Sequence, residues 1–160
     1  MDEDSTAISL AEAELVVAAL GRHQVPHLII GSFCVELLAP GLLGRQPRDL
    51  DLLLPDERGP LESFVAAMHE LGYAITSWQE AVSLPLKMEK LRGRFYLRAT
   101  RNALIVDGTY ECPWLPFAAT RDRAQEVGPF IVACLADQKK LYRARDSEAD
   151  RQMLRKLAPV

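Results

Sequence analysis

Several things are scarce in this chain of 160 residues, and each scarcity excludes something. Cysteine occurs only three times, as Cys34, Cys112 and Cys134, widely spaced and odd in number. That speaks against a disulfide framework or a zinc site and fits reduced thiols packed as small hydrophobes. No basic-then-apolar leader is visible and no apolar run is long enough to cross a membrane. The expectation is a soluble, cytoplasmic protein without a membrane partner. Excess positive charge is missing too: 19 Lys and Arg stand against 22 Asp and Glu, for a formal net charge of -3. A dedicated nucleic-acid binder usually shows a basic stripe, so RNA is not favoured as a partner, although a local basic cluster leaves room for it. His23, His27 and His69 have no metal-ligand spacing; His27, entering a strand, reads as a structural histidine. Walker A, Gly-x-Gly-x-x-Gly and Gly-x-Ser-x-Gly patterns are all lacking.

What the chain does have is ordinary globular composition, 49% hydrophobic and 26% charged, at a length that suits one domain over 1–160. Residues 1–8 read as a flexible start. Ser9 and Glu12 form a capping-box pattern ahead of Leu10, Leu15, Val16, Ala19 and Leu20 at helical spacing, with Gly21 as the stop. A strand follows at 27–30, then a helix from Ser32 to the Pro40-Gly41 break. A Gly-, Pro- and Arg-rich loop leads into a second strand at 49–54, and Pro60 opens a third helix ending at Gly72. The stretches 73–78, 82–88, 95–99 and 104–107 carry β-forming residues. Residues 112–129 are irregular, 130–132 is a last short strand or the run-in to the helix that follows, and 135–160 is a helical C-terminal part. The order predicts an α+β (α/β-like) domain, a mixed β-sheet flanked by helices on at least one face.

Three constellations could carry chemistry. Asp49-Leu50-Asp51 lies in a leucine-rich strand, so period two sends both carboxylates from one face and Leu50, Leu52 and Leu54 from the other. Aspartate is depleted in strands, and two like charges this close need a cation or a shared proton between them. A Mg²⁺-type ion with oxygen ligands resolves the repulsion, and it requires further ligands from elsewhere. Gly31-Ser32, at a strand-to-helix turn, presents free N–H groups to an anion such as phosphate; a plain turn and cap has the same pattern. Asp107, closing the apolar run 103–106, is a candidate third carboxylate, and Glu111 competes with it.

Taken together, the apolar strand and Gly31-Ser32, the spacer, Asp49-x-Asp51 and the later Asp107 resemble the nucleotidyltransferase superfamily that includes DNA polymerase β. The likeness is closest to small single-domain members, the lincosamide- and aminoglycoside-type enzymes and toxin-like relatives. It implies a nucleotidyltransferase fold in which Gly31 and Ser32 hold the triphosphate of an NTP and Asp49 and Asp51 bind Mg²⁺. Asp107 would bind metal, activate the acceptor hydroxyl, or both. The C-terminal run 139–150 is similar to a family helix whose Lys approaches the phosphates. Lys140 followed by Arg145 fits its spacing, with Lys139 as the alternative and an ordinary solvated face as the plainer reading. Arg45 and Arg48 could also meet phosphate.

The resulting expectation is a Mg²⁺-dependent transferase moving an NMP from an NTP to an acceptor hydroxyl on a small molecule. The alternatives are a toxin-like enzyme acting on tRNA or protein, a non-catalytic binding module of the same fold, and a metal-dependent nuclease or phosphatase. A homodimer completing the acceptor pocket is compatible with this length.

Overall fold

The computed structural model describes residues 7–160. The expectation of a flexible start over 1–8 thus lies, for residues 1–6, outside the described residues. Ile8 is buried, and its N–H donates to the Pro47 carbonyl at 3.2 Å. The chain then runs α1 (Leu10–Arg22), β1 (Leu28–Ile30), α2 (Gly31–Leu38), β2 (Leu50–Leu53) and α3 (Arg58–Glu70). The middle is β3 (Ala74–Ser77), β4 (Glu80–Ala81), α4 (Met88–Leu91), β5 (Tyr96–Arg101) and β6 (Leu104–Thr109). It closes with α5 (Phe117–Asp122), β7 (Gln125–Val127), β8 (Phe130–Val132), α6 (Leu135–Arg145) and α7 (Glu148–Leu157).

All eight strands form one open mixed sheet in the order β4-β3-β5-β6-β2-β1-β8-β7. β1 is antiparallel to β2 and parallel to β8, and β2 is parallel to β6. The expected mixed α/β architecture is therefore present, with β6 and β2 at its centre. Leu50, Leu52 and Leu54 are buried, as are Leu97, Ala99 and Val106 on the neighbouring strands. α3 packs on this face: a Cβ added to Gly108 would meet the Phe64 ring at 3.1 Å and Leu54 Cδ1 at 2.7 Å. The strand expected over 104–107 continues through Gly108 to Thr109, and the glycine lets α3 come close.

Local chemistry explains several boundaries. Ser9 Oγ accepts from the Glu12 N–H at 3.0 Å, the first half of a capping box. The Glu12 carboxylate does not return the bond. It accepts from Tyr73 Oη at 2.7 Å and Arg101 at 2.6 Å, which fastens α1 to β3 and β5. α1 runs through Gly21 to Arg22. Residues 82–88 are not a strand. Pro85 cannot donate to a ladder, and the Leu86 N–H donates instead to Glu62 at 2.9 Å. The irregular stretch 112–129 contains α5 and β7. The C-terminal part is two helices, because Asp146 turns left-handed at φ 53 and Ser147 and Asp150 make a reciprocal capping box for α7. A small second core of Val35, Leu43, Tyr142 and Leu157 ties α6 and α7 to α2. The cysteines are free thiols, Cys34 buried and the other two half-buried. Among the described residues no helix is long and apolar enough to cross a membrane.

Gly108→Ala is expected to lower stability by about 1–3 kcal/mol through overpacking against Leu54 and Phe64, read as the shift in the urea midpoint at constant slope.

Candidate active site

The centre of the sheet sets out a row of charged side chains by register alone. Asp51 lies opposite Ile30 on β1 and opposite Asp107 on β6, and Arg98 on β5 lies opposite Asp107. Asp49 precedes Asp51 by two residues and leaves the same face. The row therefore reads Arg98, Asp107, Asp51, and then the end of β1, where the chain turns into α2. The leucine face beneath it is dry, so the carboxylates stand on a rigid, apolar base.

Gly31 stands at the turn with φ +77, a conformation that costs L side chains but not glycine. A second constraint acts at the same position. The place a Cβ would occupy is taken by the Asp51 carboxylate Oδ2. Helix start and carboxylate thus approach as closely as they do only because residue 31 has no side chain. Ser32 follows, half-buried in the first turn of α2. The Gly31 N–H is not free, however. It donates to Oε1 of the buried Gln138 on α6 at 2.8 Å. The Ser32 and Phe33 N–H groups in the same turn have no carbonyl one turn back to bond within the helix.

The electrostatics follow from that crowding. Burial, then the negative charges of Asp107 and Asp49, push Asp51 up to about 7. Burial and Asp107 also raise Asp49, opposed by Arg98, Arg48 and Arg45. Asp107 is buried and spoken for: Arg98 donates Nε and Nη2 to its two oxygens, each at 2.9 Å. This fork is the strongest geometry available to an Arg–carboxylate pair. Among the described residues no three His, Cys, Asp or Glu side chains are arranged as they stand to hold a metal ion. The donor set for a divalent ion is therefore Asp49 and Asp51, with Asp107 adjacent but engaged.

The other candidates divide cleanly. Glu111 is bound to backbone, accepting from the Gly93 and Phe95 N–H groups at 3.0 and 2.9 Å, so Asp107 is the acid the sheet brings beside Asp51. Arg48 and Arg45 are exposed beside Asp49. Lys140 is exposed on α6, about 200° around the helix from Gln138. Lys139 donates to the Val160 carbonyl at 2.9 Å. The α6 residues near the site are Gln138 and Arg145, whose charge acts on Asp51 while its Nη2 donates to Asp150 at 2.8 Å. Arg98 and Gln138 escaped the sequence reading. Alternation puts Tyr96, Arg98 and Thr100 on one face of β5, yet nothing local says that Arg98 falls opposite Asp107. His27 Nδ1 lies 2.9 Å from the Val25 carbonyl, and burial lowers its basicity, as befits a structural histidine.

No family model matches the chain, and no curated protein matches it. A solved structure, JHP933 from Helicobacter pylori, is similar over 81% of this chain and 52% of its own, at 13% identity and a TM-score of 0.44.

Two outcomes test the site. Asp51→Asn is expected to raise the thermal midpoint by a few degrees at pH 8 and to leave it unchanged near pH 4. The sign follows from the raised value: between the ordinary carboxylate range and about 7 the folded state holds the extra proton, so stability falls as pH rises through that window. The variant, with no proton to lose, should not show that fall. Gly31→Ala is expected to cost more than the roughly 1 kcal/mol of an ordinary positive-φ substitution, because the Asp51 carboxylate must also move; chemical denaturation reads the difference.

Proposed function

We propose that this protein is a Mg²⁺-dependent nucleotidyltransferase of the polymerase-β type, moving an NMP from an NTP to an acceptor hydroxyl. The observation that carries the reading is the register of Asp51 between the Gly31 turn on one side and Asp107 on the other. A triphosphate-facing helix start, a carboxylate pair and a further carboxylate are the parts this chemistry needs, and here they are adjacent.

Asp49 and Asp51 fit a divalent ion on the strength of their own instability. Burial first, and then its acidic neighbours, push Asp51 up to about 7, and a bound cation favours the charged form against both. When bound there, Mg²⁺ supplies charge neutralisation at the α-phosphate and the departing pyrophosphate. The chain's own groups do the rest. The first-turn N–H groups of Ser32 and Phe33, with the positive end of α2, receive phosphate oxygens. Arg48, exposed beside Asp49, meets the remaining phosphate charge, and Lys140 on the far side of α6 has no place in this arrangement. Asp107, aimed by the Arg98 fork, accepts the proton of the acceptor hydroxyl as its oxygen attacks the α-phosphorus. The bond from that phosphorus to the bridging oxygen breaks, and pyrophosphate leaves. Positioning and electrostatics account for most of the rate.

The test is incubation with Mg²⁺, each labelled NTP in turn, and a panel of hydroxyl-bearing acceptors. Asp49→Ala and Asp51→Ala should each reduce label transfer by at least about a hundredfold while the fold, followed by circular dichroism, persists. Full activity in both variants would overturn the assignment.

A further inference from the structure

The face of the sheet opposite the carboxylate row carries an unexplained polar group. Thr76 on β3 lies opposite Arg98 and so shares the face of Arg98 and Asp107. Ser77, the next residue, leaves the other face, together with the buried Ile75. Ser77 is only 2% exposed, and its Oγ has no hydrogen-bond partner. A buried hydroxyl without a partner destabilises a fold, and alanine at this position would escape that cost.

Ser77 lines a cleft of about 130 Å³ between the β3–β4 hairpin, at the sheet edge, and the segment 82–91. Val82, Pro85, Leu86 and Leu91 give the cleft an apolar wall. That wall is fixed from α3: the Leu86 N–H donates to Glu62 at 2.9 Å, and the Leu86 carbonyl accepts from Arg58. The charges around the cleft divide into two kinds. Arg94 donates to Glu80 at 3.2 Å and to the Ser77 carbonyl at 3.3 Å, so these two charges balance each other. Lys87 and Lys90 are exposed and make no ion pair among the described residues. The single turn of α4 brings both to the same cleft, where they repel and an anion between them relieves the repulsion.

We infer that this cleft binds a small phosphate monoester. Lys87 and Lys90 neutralise the phosphate, the Ser77 hydroxyl donates to one of its oxygens, and the short organic body lies on the apolar wall. A phosphate monoester carries a charge of about −1.5 to −2 at neutral pH, which matches two ammonium groups. A single carboxylate leaves one of them unbalanced, and the guanidinium fork that suits a carboxylate is already engaged at Arg94. Size sets an upper limit. A cavity of about 150 Å³ takes a molecule the size of benzene, so a whole nucleotide does not fit here. The site is separate from the carboxylate row and stands whether or not the protein transfers nucleotides.

The test is titration calorimetry with phenyl phosphate, inorganic phosphate and benzoate, in the absence of NTP and metal. Phenyl phosphate should bind most tightly, because inorganic phosphate lacks the apolar body and benzoate lacks the second charge. Ser77→Ala and the double variant Lys87→Gln/Lys90→Gln should each weaken phenyl phosphate binding about tenfold. Arg48→Ala, on the opposite face of the sheet, should leave it within about twofold. Without any probe, Ser77→Ala should unfold at the temperature of the parent or above it, since it removes an unpaired buried hydroxyl. No heat with phenyl phosphate, or benzoate binding as tightly, would overturn the assignment. So would binding that is lost in Arg48→Ala yet unchanged in the Ser77 and lysine variants. A lower unfolding temperature for Ser77→Ala also sinks it, because the hydroxyl then has its partner within the fold.

Discussion

The approach of the Asp51 carboxylate to the backbone of Gly31 is the contact on which the rest depends. It needs a residue without a side chain, in a left-handed conformation, at the junction of β1 and α2. It also needs β1 and β2 paired so that Asp51 falls beside the end of β1. Once those conditions hold, a helix start, an acid pair and a dry leucine face are locked in one arrangement. The Gln138 side chain, reaching from α6 to the Gly31 N–H, fastens the C-terminal helices to the same point.

Such an arrangement stores electrostatic energy. Asp51 is buried beside two other acids, and the fold tolerates it because the β-ladders and the leucine layer hold the strands regardless. Arg98 relieves part of the repulsion by forking Asp107, which leaves Asp49 and Asp51 as the unbalanced pair. The division gives the three acids different characters. Two are under pressure to find a cation, and the third is oriented by a guanidinium. Both sides of that division come from adjacent strands of one sheet, so no loop movement is needed to assemble them.

Charge is distributed unevenly around this centre. Residues 74–101 carry six Lys and Arg against two Glu, and Arg94, Arg98 and Arg101 among them are ion-paired with Glu80, Asp107 and Glu12.

Much of the site was legible in sequence because it is written in short-range rules. Period two put Asp49 and Asp51 on one face, glycine before serine marked the strand-to-helix turn, and apolar runs located β1, β2 and β6. The helices α1, α2 and α3 declared themselves through caps, spacing and breakers. What sequence could not decide was register. Asp107 rather than Glu111 stands beside Asp51, Arg98 meets Asp107, and Gln138 rather than Lys140 faces Gly31, because strands and helices far apart in the chain pair at those offsets. A shift of one residue would turn each of these side chains to the opposite face. Sequence by itself determined which residues share a face; only the tertiary structure decided which faces meet, since that depends on hydrogen-bond ladders and packing between segments with no local signal of each other.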